Sequence, residues 1–176
     1  MSNTVKLTTP LSIADVRKLN AGDIVKLTGT IYTGRDAAHK RLCALLDENK
    51  PLPVDLNGQL IYFVGPCPAP PGRVIGSAGP TTSGRMDAYS PRLIKECSLR
   101  GMIGKGDRNQ AVRDAMQEYG AVYFAATGGA GALIARSIVK SEVVAFDDLG
   151  PEAIYKLEVD ELPLVVAIDA NGKSLY

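Results

Sequence analysis

Four short stretches set cationic or hydroxyl side chains beside glycine: T-G-R-D-A-A-H (33–39), G-P-T-T-S-G-R-M-D (79–87), G-K-G (104–106) and T-G-G-A-G-A (127–132). Each follows a run of residues that reads as a strand, and ligands of α/β sheets bind beyond the carboxyl ends of strands. A helix that begins there offers free N–H groups and the positive end of its dipole, which suits an anion. Arg35, Arg85 and Lys105 each sit at one of these junctions. Arg35 opens a helix, where a cation is locally unfavourable, and such departures from local rules gather where function demands them. Three converging cations would hold a small dianion, because arginine grips a carboxylate or phosphate through two parallel hydrogen bonds.

Plainer roles exist for each residue. Taken singly, Arg35, Arg85 and Lys105 fit solvated surface positions. Thr81 fits the N-cap of a following helix. His39, the only histidine, lies four residues after Arg35 on the same helical face. It is either a general acid or base, or a packed helix residue. Other chemistries find less support. No G-x-x-x-x-G-K-[ST] occurs, and the 128–132 run misses G-x-G-x-x-G spacing. Cys43, Cys67 and Cys97 form no C-x-x-C pair and have no nearby histidine, so a zinc site within the chain is not expected. Cys43 and Cys97 read as small core residues, whereas Cys67, in a proline loop, has no assigned role.

The elements around these stretches alternate. Residues 4–9 read as a strand and 11–19 as a helix capped by Ser12, followed by a strand over 23–33. The clearest helix spans 35–50, with Ala38, Leu42, Leu45 and Leu46 at helical spacing. Strands are expected at 60–65, 73–79, 101–106 and 121–128, and helices at 91–99, at 109–120 closed by Gly120, and in 128–137. The tail carries three strand-like runs, 138–146, 153–159 and 164–169, and a hairpin turn at 169–172. The 176 residues fit one α/β domain, 1–176, with a mixed sheet. Twenty basic residues against 19 acidic ones give a net charge of +1, which offers nothing to a nucleic-acid backbone. A mean hydropathy of +0.02 and the lack of an apolar run near 18 residues argue against a membrane span. The N-terminal residues lack a secretory pattern, and three scattered cysteines fit a reducing cytoplasm.

The motifs T-G-R-D-A-A-H-K-R (33–41), V-G-P-C-P-A (64–69), G-P-T-T-S-G-R-M-D (79–87), I-G-K-G (103–106), T-G-G-A-G-A-L (127–133) and E-V-D-E-L-P-L-V-V-A-I-D-A-N-G (158–172) resemble class I, iron–sulfur fumarate hydratases. More narrowly, they resemble the C-terminal part of the one-chain enzymes, which in two-chain enzymes is a β subunit. The tartrate dehydratase β subunit is a close relative. The resemblance implies a swivelling β/β/α three-layer domain with a mixed sheet. It implies a [4Fe–4S] cluster held by the α subunit and not by this chain, an active site shared between the two subunits, and no activity for this chain alone. Arg35, Arg85 and Lys105 match residues that bind the dicarboxylate, and Lys105 and Thr81 are the catalytic candidates. Thr81 matches the base that removes the C3 proton of malate. Thr81 and Arg85, four apart, would share a face if one helix ran through both. His39 matches no family acid. The expected reaction is reversible hydration of fumarate to L-malate. The alternatives are dehydration of L-tartrate to oxaloacetate, another dicarboxylate hydro-lyase, and a non-catalytic anion-binding domain on the same fold. An apolar docking face for the α subunit would let the isolated chain pair as a homodimer.

Overall fold

The computed structural model describes residues 4–66, 69–76, 78–126 and 131–176. In chain order the elements are β1 (Thr4–Thr8), α1 (Ile13–Arg17), β2 (Ile24–Thr33), α2 (Asp36–Asp47), β3 (Leu60–Tyr62), a 3-10 helix (Ser83–Met86), α3 (Ser90–Cys97), β4 (Gly101–Gly104), α4 (Gln110–Tyr119), β5 (Val122–Ala126), α5 (Gly131–Arg136), β6 (Ile138–Ala145) and β7 (Ile154–Ile168). Local chemistry sets the helix ends. Ser12 and Asp15 form a reciprocal box, each backbone N–H donating to the other's side chain at 3.0 Å. Asn109 Oδ1 accepts from Val112 N at 3.0 Å at the start of α4, and Gly120 closes that helix at φ +85°.

Three expectations for the strands change. The strand expected over 60–65 stops at Tyr62. Residues 73–79 form no strand where they are described, because β3 and β4 pair directly and leave no slot between them; Val74 is exposed instead. The runs 153–159 and 164–169 are a single strand, β7. A bulge joins its two halves. The register against β2 slips between Leu27 and Gly29, Glu161 takes φ +49°, and its N–H donates to Thr28 Oγ1 at 3.1 Å. Pro163, which has no N–H to give, sits just past this bulge. The turn at 169–172 forms as expected: Asp169 Oδ1 accepts from Asn171 N and Lys173 N, and Ile168 bridges Ser174.

The sheet is mixed and closes on itself. β2, β3, β4 and β5 run parallel to one another, β5 and β2 both pair antiparallel with β7, and the ring is complete. β1 extends it beside β2 and β6 beside β7. Alternation along the strands then divides the interior in two. Leu60, Tyr62, Ile103, Val122 and Phe124 face inward with Leu27, Ile31, Leu164 and Val166. Ile61, Phe63, Met102 and Tyr123 face outward against Leu42, Leu93, Val112 and Met116 of the helices. Strands buried on both faces read as continuous apolar runs, as L-I-Y-F-V does. The result is an α/β protein of three layers: helices, the β3–β4–β5 wall, and the β2–β7 wall with its flanking strands.

Candidate functional site

Because β2, β3 and β4 are parallel, their carboxyl ends open on one rim. Arg35 follows β2 by two residues, Gly65 follows β3 by three, and Lys105 is the first residue beyond β4. The segment around Thr81 wedges into the same rim. Thr81 N donates to Phe63 O at 2.8 Å, Thr82 bridges Lys105 in parallel, and Ser83 N donates to Lys105 O at 2.9 Å. Arg85 then reaches back to α2, with Nη2 2.6 Å from Asp36 Oδ2. Arg35 lies against the β3 loop so closely that a Cβ on Gly65 would stand 3.1 Å from Arg35 Cδ. Arg35, Thr81, Arg85 and Lys105, from three separate stretches, thus share one rim. The fourth glycine stretch, at 127–132, falls largely outside the described residues, as does Cys67.

Two details differ from expectation. Thr81 is not a helix cap. Its N–H serves Phe63, the backbone at Thr82 is extended (φ −61°, ψ 123°), and Thr82 occupies the cap position of the 3-10 helix without using its side chain. Thr81 and Arg85 therefore do not share a helical face; sheet-like pairing with Lys105 holds residues 81–83 straight, and only Ser83–Met86 turn.

His39 is packed. It is 1% exposed, edge-on to Phe63 at 5.4 Å and tilted over Tyr89 at 5.9 Å. Its Nδ1 lies 2.8 Å from Arg35 O, and a carbonyl only accepts, so Nδ1 carries the proton and Nε2 keeps its lone pair. Burial holds this imidazole down at about 4, with the Arg108 charge acting in the same direction, so it is neutral at pH 7. Three neighbouring buried atoms have no hydrogen-bond partner among the described residues: Arg35 Nε, Asp36 Oδ1 and His39 Nε2.

Sequence reasoning missed the side chains that hold the rim together. Arg108 is 3% exposed and lies over both the Phe63 and Tyr123 rings at 5.1 Å. Its Nε donates to Asp87 Oδ1 at 2.6 Å and its Nη2 to Ser90 Oγ at 2.6 Å, while Asp87 Oδ2 accepts from Asn109 N. This fastens the far end of the 79–87 stretch. Tyr123 Oη contacts Ser83 Oγ at 2.7 Å and Gly106 O at 2.6 Å, fastening the near end. The D in G-R-M-D and the D-R-N after G-K-G were available as a charge pair, but nothing local joins residues 21 apart.

No group of three His, Cys, Asp or Glu side chains that could hold a metal occurs among the described residues. Cys43 and Cys97 are half-buried, and burial raises both thiols. No helix among the described residues is long and apolar enough to cross a membrane.

Comparison with known proteins relates this chain to two kinds of hydro-lyase. A protein from Methanocaldococcus jannaschii, provisionally named L(+)-tartrate dehydratase subunit beta, is 43% identical over 171 residues, covering 94% of this chain and 88% of the relative. The anaerobic class I fumarate hydratase of Escherichia coli K12 is 41% identical over 153 residues, covering 86% of this chain and 28% of the relative. Fumarate hydratase 2 of Leishmania major is 36% identical over 156 residues, covering 88% and 28%. The chain therefore spans little more than a quarter of the length of these fumarate hydratases and nearly all of the archaeal protein. A family model described as Fumarase C-terminus matches residues 1–176, and the chain belongs to that family.

Proposed function

We propose that this chain is the β subunit of a hydro-lyase that reversibly hydrates fumarate to L-malate, with its active site completed by an α subunit. The observation that carries the reading is the gathering of Arg35, Thr81, Arg85 and Lys105 at the carboxyl ends of three parallel strands. Its described thiols are half-buried, protonated and without companion ligands, so they do not fit an iron–sulfur cluster; we assign the cluster to the α subunit.

In this reading Arg35 and Arg85 take the two carboxylates of the substrate. Arg85 is half-exposed and already paired with Asp36, so its guanidinium is held in place and can accept a second carboxylate. The Arg35 Nε donor, buried and without a partner among the described residues, gains one from the substrate. Lys105 adds positive charge beside the segment that carries Thr81. Thr81 takes the C3 proton of malate as the C3–H electrons form the C2=C3 bond and the C2 hydroxyl departs as water towards the α subunit, whose cluster would supply the Lewis acid. A hydroxyl is a poor base, and nearby cations make it better by favouring the alkoxide.

A second reading is L-tartrate dehydration to oxaloacetate. It is favoured by the archaeal relative, which this chain matches over almost its whole length. Both substrates are four-carbon dicarboxylates and use the same cations. The test is an anaerobic assay of this chain assembled with its α subunit, comparing kcat/KM for fumarate, malate and L-tartrate. Thr81→Ala should lower kcat by about 10²–10⁴-fold with the complex intact, the usual contribution of a positioned proton acceptor. An active Thr81→Ala complex removes Thr81 from the chemistry. A fully loaded complex inert towards all three substrates refutes both readings.

A further inference from the structure

We propose that Ser83 and Tyr123 are positioning residues for this site, forming a buried hydrogen-bond relay that clamps Lys105 on both sides and pins the Thr81 segment to β4. The inference rests on the proposed function for its catalytic meaning, but the relay itself is geometric.

The direction of each proton follows from chemistry alone. Gly106 O is a carbonyl and only accepts, so the Tyr123 hydroxyl donates to it at 2.6 Å. Having given its one proton there, the Tyr123 oxygen must accept from the Ser83 hydroxyl at 2.7 Å. The Ser83 oxygen in turn accepts the Lys105 N–H at 2.9 Å. The chain therefore runs Lys105 N–H to Ser83, Ser83 to Tyr123, and Tyr123 to the carbonyl of Gly106. It begins at the amide before the Lys105 side chain and ends at the carbonyl just after it.

Both relay side chains are fully buried, so a broken link leaves polar groups without water. Burial also pushes the Tyr123 phenol well above its ordinary range, so it stays a donor at working pH. Ser83 ties the wedge as well, since its own N–H donates to Lys105 O at 2.9 Å. Gly104 makes the approach feasible: a Cβ there would stand 1.8 Å from Ser83 Oγ. The Lys105 side chain itself is exposed. Its backbone is thus fixed while its ammonium is free to meet a ligand. Arg35 and Asp36 stand at the start of α2, outside the relay; Arg85 shares the 3-10 helix with Ser83 and is tied to α2 through Asp36.

The test compares wild type, Ser83→Ala, Tyr123→Phe and the double variant in the assembled complex, alongside amide hydrogen exchange at Lys105 in the full chain. A displaced catalytic group costs about 10–100-fold in kcat, whereas KM, held by Arg35 outside the relay and by Arg85 through its Asp36 ion pair, should move by a smaller factor. The double variant should be no worse than the worse single one, because both interrupt one unit. The Lys105 amide should exchange faster in Ser83→Ala. Variants that lower Tm while leaving kcat, KM and Lys105 exchange unchanged overturn the proposal. If the wild-type complex is itself inert, the proposed function fails, and Lys105 exchange still decides the relay: faster exchange upholds the clamp, unchanged exchange removes it.

Discussion

The two sides of the rim are built on opposite terms. Around Lys105 and Ser83, the chain of buried donors and acceptors is closed: Lys105 N, Ser83, Tyr123 and Gly106 O each have a partner, and Arg108 is fully engaged with Asp87, Ser90 and two aromatic rings. Around Arg35, three buried polar atoms have none among the described residues. The first side is rigid before any ligand arrives. The second carries an electrostatic cost that a bound anion or a partner chain would relieve. In the proposed reading, the reacting groups lie with the satisfied half and the unsatisfied half draws the ligand.

The sharpest way to break this contrast is on the satisfied side. Arg108→Met should cost about 3–5 kcal/mol, because it leaves the Asp87 carboxylate in a poorly hydrated place without its partner. Urea unfolding measures this directly. Adding Asp87→Asn should recover part of the loss, and a single variant as stable as wild type would show that the pair holds nothing. Next is Gly104→Ala. The new methyl meets Ser83 Oγ at 1.8 Å and Phe63 Cδ2 at 2.9 Å, so Ser83 must move. The expected loss is about 3 kcal/mol, at the upper end for overpacking. A loss below 1 kcal/mol, about the size of a harmless core swap, would mean the rim is soft.

The unsatisfied side should respond to pH instead. His39 sits near 4 in the folded protein against an ordinary 6.5, so the unfolded chain takes up a proton first. The stability contributed by the neutral ring is complete above pH 6.5 and drains away towards pH 4, by up to about 1.4 kcal/mol per pH unit. His39→Asn keeps a side-chain N–H to offer to Arg35 O but cannot titrate. Its unfolding midpoint should therefore fall less steeply than that of wild type over this range; parallel curves would place the acid sensitivity elsewhere.

Much of this was readable in one dimension. Helix α2 announces itself through Ala38, Leu42 and Leu46, α4 through Asn109 and Gly120, and three of the glycine-flanked stretches mark the rim from the sequence alone. These signals are local, carried by residues within one or two turns of each other. What escaped was non-local. The burial of Arg108 depends on Asp87, and that of Tyr123 depends on Ser83, 40 residues away. Thr81 reads as a cap because hydroxyls before helices usually are; its N–H bond to Phe63 and the pairing of Thr82 with Lys105 override that preference. The runs 153–159 and 164–169 read as two strands yet form one, and the facing bulge at Gly29 shows how Pro163 is tolerated within it.

The ring of strands also sets an order of events during synthesis. β2 emerges early, yet its longest partner is β7, and Ile24 meets Val165 about 140 residues later in the chain. Until β7 leaves the ribosome, β2 has only the short β1 and two residues of β3 beside it. Such distant pairings are slow to form because the intervening loop must close first. Between the emergence of β2 and that of β7 the nascent chain therefore holds an open, apolar half-barrel, and chaperone engagement with it should end only when β7 completes the ring.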